Sequence, residues 1–138
     1  MRIMAIDYGD QRIGLAVSDL LGMLCGEAWT MNEWDMERAS KRIADEAAAR
    51  EVGTLVLGLP KNMDGSEGGS ADKIRAFAEL LRPLTAAEIV FFDERVTTMA
   101  AHQILNLTDT RGAKRKSVVV TLSAEIILQN YLDREKNT

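Results

Sequence analysis

The chain has 138 residues, 46% of them hydrophobic and 28% charged, with a formal net charge of -4, the balance of one compact soluble domain spanning 1–138. A chain of this size buries roughly two-thirds of its unfolded surface, so its core needs no structural metal, and the single cysteine, Cys25, excludes an internal disulfide and fits a reducing cytosol. No run approaches the roughly 20 apolar residues of a membrane span, so a cytoplasmic protein without membrane partners is expected, and its mild acidity excludes a wholesale nucleic-acid coat but not a local basic patch.

Ile3, Ala5 and the run to Asp7 read as a first strand, residues 8–11 as a turn and residues 12–19 as a second strand, so a hairpin opens the fold. Residues 22–31 offer a third strand with poor alternation. Asp35 can cap a helix whose apolar positions Met36, Ala39, Ile43 and Ala47 fall at three- and four-residue spacing and whose end meets Gly53. The nearly all-apolar run 54–59 reads as a strand buried on both faces, stopped by Pro60. Residues 61–70 are rich in Gly, Asn, Asp and Ser and read as a loop, after which Ser70 caps a helix facing inward through Ile74, Phe77, Ala78 and Leu81 and ended by Pro83. A further strand, 89–92, stops at Asp93-Glu94 and completes a second βαβ unit. Thr97 or Thr98 can cap a helix carrying Ala100, Ala101, Ile104 and Leu105, and a last helix is expected over about 117–134 despite the β-branched run Val118-Val119-Val120-Thr121. The whole reads as a mixed α/β sheet carrying helices.

Acidic residues stand where strands end. Asp7 closes the first strand and Glu94 the last; were both strands parallel and central, their carboxylates would meet in one crevice and repel, and a divalent cation would relieve the repulsion. The alternative is that each carboxylate caps a turn or pairs with an arginine. Gly9 and Gly14 permit close backbone approach in the hairpin, which could admit a phosphate or metal next to Asp7. The segment Arg111-Gly112-Ala113-Lys114-Arg115-Lys116 is the densest basic cluster and can neutralise phosphates, or serve solubility alone. His102 and Cys25 read as structural residues, and no P-loop or zinc-ligand spacing occurs. An actin-like ATPase shares the Asp-x-Gly hairpin but needs a second lobe.

Asp7-Tyr8-Gly9 with residues 12–19, Val56-Leu57-Gly58-Leu59-Pro60 with Asn62-Met63-Asp64-Gly65, Asp93-Glu94-Arg95-Val96-Thr97-Thr98 and Ile126-Ile127-Leu128-Gln129-Asn130-Tyr131-Leu132 occur in that order. Together they resemble the YqgF/RuvX family of Holliday-junction resolvases and pre-16S rRNA nucleases over essentially the whole chain. The resemblance implies an RNase H-like fold with a mixed five-stranded sheet flanked by helices, and hydrolysis of phosphodiester bonds in structured RNA, ribosomal precursors among them, or in branched DNA. It implies that Asp7 and Glu94 hold Mg²⁺ or Mn²⁺. Arg12, Lys61, Asn62, Arg95, Arg111, Lys114, Arg115 and Lys116 would then contact the nucleic acid, while Thr97 and Thr98 cap a helix.

One position departs from the family pattern. A further Asp is expected just before the small pair Ser123-Ala124, and Val120 stands there. Valine cannot coordinate a cation, so either another acid such as Asp109 substitutes or the chain is a catalytically weakened relative that still binds nucleic acid. Glu125, five residues on, is rotated off the face of Val120 and is a poor stand-in. A monomer or weak dimer is expected.

Overall fold

Apolar residues alternate along the first two strands so that each strand feeds both faces of a sheet. A computed structural model describes residues 1–9, 11–59, 69–93 and 112–136. Strands β1 (Arg2–Tyr8) and β2 (Arg12–Ser18) form the expected antiparallel hairpin, and β3 (Cys25–Asn32) pairs antiparallel with β2. β4 (Val52–Leu59) and β5 (Glu88–Asp93) add in parallel on the other side, giving the order β3-β2-β1-β4-β5. The parallel strands are linked through α1 (Met36–Ala49) and α2 (Gly69–Leu81), the latter followed by a 3-10 turn, Arg82–Leu84. These are the two βαβ units expected.

The two faces are packed differently, and the difference positions the site. Met4, Ile6, Ile13, Leu15, Leu55 and Leu57 turn to one face, where Ile43 of α1 and Ile74, Phe77 and Leu81 of α2 fill the space between the large side chains. Fully burying each such side chain contributes about 1.5–3 kcal/mol. The other face presents mainly small residues, Ala5, Ala16 and Val56, to Ala124, Ile127, Leu128 and Leu132 of α3 (Gly112–Lys136). Small residues let α3 come close. At Gly14 the approach is closest: a Cβ there would lie 1.8 Å from the Val120 carbonyl oxygen, so only glycine fits beneath the helix.

Several expectations are corrected. β1 is the central strand but β5 is an edge strand, with β4 between them, so the two strands expected to carry the acids are parallel but not both central. The space at Gly14 admits the backbone of α3 rather than a phosphate or metal. α1 stops at Ala49, before Gly53, because Glu51 adopts a positive φ of 55° and β4 begins at Val52. Asp35 occupies the N-cap position but makes no side-chain cap; the Glu33 carboxylate instead accepts hydrogen bonds from the backbone N–H groups of Trp34 and Asp35 at 3.2 and 3.3 Å. β3 starts at Cys25, because Gly22 (φ 68°) and the Asp19 carboxylate accepting from Met23 N–H at 2.9 Å fold residues 19–24 into a turn. α2 begins at Gly69, and α3 begins at Gly112 rather than near 117, so part of the basic cluster is helical. Pro60, residues 61–68 of the loop expected over 61–70, Glu94, the expected helix over 97–105 with its caps, His102 and Asp109 lie outside the described residues.

Candidate active site

β1 brings Asp7 to the α3 side of the sheet, directly opposite Gly14 on β2. Because Gly14 seats α3 against the strand, the helix backbone at Val120 and, one turn later, Ser123 reach the neighbourhood of Asp7. Burial pushes the Asp7 carboxyl up from its ordinary 3.8 to about 6, and proximity of the Ser123 hydroxyl offsets part of that rise. The contact is loose. Ser123 Oγ is buried and has no partner at hydrogen-bond geometry, so it acts on Asp7 as a nearby dipole rather than as a formed bond.

Among the described residues no arginine or lysine forms an ion pair with Asp7. An anion held half-buried and raised in pKa without a countercharge is a position that a cation would stabilise, and a carboxylate oxygen with a neighbouring hydroxyl is donor chemistry suited to a hard divalent ion. Those residues fit such an ion. They do not complete its shell: among the described residues no group of three or more His, Cys, Asp or Glu gathers. Val120 is half-buried and belongs to none of the apolar clusters of the described residues. Glu125 turns elsewhere on α3, near enough to Cys25 of β3 to help raise its pKa behind the larger effect of burial.

Arg12 starts β2, two residues before Gly14 and therefore on the same sheet face as Asp7. β5 sends Val90 and Phe92 to the α3 face as well, and Glu94 follows Phe92 by two residues in the sequence, outside the described residues. Lys61, Asn62, Arg95 and Arg111 likewise lie outside them, while Lys114, Arg115 and Lys116 fall in the first turns of α3. Ser123 was missed in the sequence; its place in a small-residue pair one turn after Val120 was the available signal. A groove of about 460 Å³ lined by Arg2, Ser18, Asp19 and Glu27 opens at the opposite end of the sheet.

The strand order, the parallel-antiparallel mixture and the helix crossing Gly14 define an RNase H-like fold. Among solved structures, Thermus thermophilus RuvC in complex with a Holliday junction substrate superposes with a TM-score of 0.64 at 10% identity, covering 100% of this chain and 97% of that one. The fowlpox virus resolvase, solved with Holliday junction DNA, gives 0.63 at 11% identity, over 98% of this chain and 99% of that one. Residues 1–134 match the family model described as "RuvX: Holliday junction resolvase". The chain belongs to the RuvX/YqgF family. It is 44% identical over 138 residues to a "Putative pre-16S rRNA nuclease" of Halalkalibacterium halodurans, covering 99% of both chains, and 41% identical, with the same coverage, to a protein of that description from Thermoanaerobacter pseudethanolicus.

Proposed function

We propose that this chain is a divalent-metal-dependent endonuclease that hydrolyses phosphodiester bonds in structured nucleic acid, either a 16S rRNA precursor or a branched DNA. The observation that carries this reading is Asp7: a half-buried carboxylate at the end of the central strand, raised in pKa and without a cationic partner among the described residues. Asp7 and Glu94 would hold Mg²⁺ or Mn²⁺, and the ion, when bound, supplies an activated water and charge stabilisation at the phosphate. Ser123 on α3 favours the ionised form of the Asp7 carboxyl as a nearby dipole, and Gly14 fixes the height of that helix over the strand. Arg12, Lys61, Asn62, Arg95, Arg111, Lys114, Arg115 and Lys116 would bind the phosphate backbone and hold the strand in register. The whole chain, 1–138, would act as one unit in the cytoplasm. A monomer suffices to cut one strand of RNA, whereas symmetric junction cleavage needs two copies.

Val120 favours a second reading. With valine where the family pattern has an acid, the chain reads as a weakened nuclease that chiefly binds its nucleic acid. A cleavage assay with Mn²⁺ separates the two, using an RNA carrying the 16S leader and a four-way DNA junction as parallel substrates. Cleavage of either that disappears in Asp7→Asn supports the enzyme; binding without cleavage supports the second reading, and cleavage that survives Asp7→Asn removes Asp7 from the mechanism.

A further inference from the structure

The link between β3 and α1 holds a large aromatic ring in water. Trp34 is 71% exposed, and of the exposed large hydrophobic residues described it alone lies at the end of the sheet where Asp7 lies. Met1, Leu20, Leu21, Met23, Leu24 and Leu84 all belong to the opposite end.

The ring is presented on a fixed mount. Glu33, 8% exposed, donates its backbone N–H to the Gln11 carbonyl at 3.0 Å, tying the link to the turn that follows β1. Its carboxylate accepts from the backbone N–H groups of Trp34 and Asp35 and pairs with Arg42 at 3.2 Å and Arg38 at 3.9 Å. Those bonds hold the Glu33 carboxyl below the usual range despite the opposing effect of burial. The backbone that carries Trp34 is therefore anchored while its side chain stays free to meet a ligand.

Asp7 is in register with Gly14, and Gly14 with Thr30, so two inter-strand steps separate Asp7 from Thr30 and four residues lead on to Trp34. The separation is on the order of 16 Å, the reach of a few nucleotides. The exposed neighbours of Trp34 are polar or charged: Asn32, Asp35, Glu37 and Arg38. An aromatic anchor for a protein partner would sit in a wider apolar patch. A lone ring in the link to the helix that carries Arg38, at the same end of the sheet as Arg12, suits an unpaired base whose phosphates pass the arginines. Because Arg38 and Arg42 already pair with Glu33, stacking rather than charge supplies most of the contact.

We propose that Trp34 stacks on an unpaired base of the nucleic acid bound at Asp7, a few nucleotides from the bond to be cut. This rests on the nucleic-acid reading of the site. The chain's two tryptophans make the test direct: Trp29 packs beneath the Arg50 guanidinium, 4.4 Å from its ring centroid, and Trp29→Phe leaves Trp34 as the sole reporter. The full-length protein is titrated in EDTA with a twelve-nucleotide oligouridine and with a blunt RNA duplex of equal length. The expected results are quenching of Trp34 by the single strand far more than by the duplex, and a loss of single-strand affinity of about 5- to 150-fold in Trp34→Ala. Trp34→Phe should recover most of that loss, and the slope of log affinity against log salt should not change, since no phosphate contact is removed. Equal affinity of wild type and Trp34→Ala overturns the stacking proposal and leaves the nuclease reading standing. Failure of the wild type to bind either RNA overturns the stacking proposal, and the nuclease reading is then judged by the cleavage assay on the leader RNA and the DNA junction. Self-association that Trp34→Ala abolishes, without an effect on RNA binding, would show that the ring serves a second copy and overturns the proposal.

Discussion

Replacing Asp7 with Asn should stabilise the metal-free protein while abolishing cleavage. The folded carboxyl titrates at about 6 against 3.8 when exposed, so the sign follows from linkage. Below 3.8 both states are protonated and Asp7 contributes nothing; as pH rises toward 6 the unfolded chain ionises first and folding loses stability; above 6 the penalty is constant. The full rise corresponds to about 3 kcal/mol at 1.36 kcal/mol per pH unit. The carboxylate keeps some access to solvent, and the asparagine amide carries its own desolvation cost, so about 1–2 kcal/mol should remain. Urea unfolding in EDTA at pH 8 should therefore show Asp7→Asn more stable by about 1–2 kcal/mol, with a melting temperature higher by about 3–8 °C. At pH 3.5 the difference should shrink to near zero. A variant less stable than wild type at pH 8, or equally stabilised at both values, would refute the argument that Asp7 is a desolvated anion with no countercharge among the described residues.

Gly14→Ala would place a methyl group 1.8 Å from the Val120 carbonyl oxygen, and lifting α3 off the sheet should cost about 3 kcal/mol or more in urea unfolding; a loss under about 1 kcal/mol would mean that the helix does not rest there. Ser123→Ala removes a buried hydroxyl without a formed hydrogen bond, so stability should stay level or rise by up to about 1 kcal/mol. The Asp7 pKa should move above its wild-type value when the carboxyl is followed by NMR, and a fall would show that Ser123 does not favour the ionised form. Val120→Asp should strengthen Mn²⁺ binding about tenfold or more by calorimetry if that position looks into the site, and an unchanged titration would place it elsewhere.

The sheet was legible because its signals are local and redundant. The buried run of β4, the opening hairpin and the inward face Ile74, Phe77, Ala78 and Leu81 of α2 all stand where the pattern of apolar residues puts them. Val118-Val119-Val120-Thr121 favours a strand by propensity, yet it lies in the long α3 as expected, with Thr30 and Thr121 joined through their hydroxyls. The errors arose where a tertiary contact outweighed the local preference. Glu33 supplies the bonds expected of Asp35 because it is held inside by Arg38 and Arg42, partners that spacing alone does not reveal. At the site, Asp7 was legible as an acid ending a strand. Ser123 and the seat of α3 on Gly14 were not, since both depend on which helix crosses which strand. Trp34 escaped notice because one exposed ring leaves no periodic trace.

Crystals soaked in MnCl₂ near pH 7.5 and measured at a wavelength sensitive to manganese test the central claim most directly. An anomalous peak touching the Asp7 carboxylate, absent from Asp7→Asn crystals, is the expected result. Density that leaves Asp7 bare while manganese occupies other carboxylates, or an arginine closing on Asp7 in the wild-type crystal, would contradict the metal-dependent site.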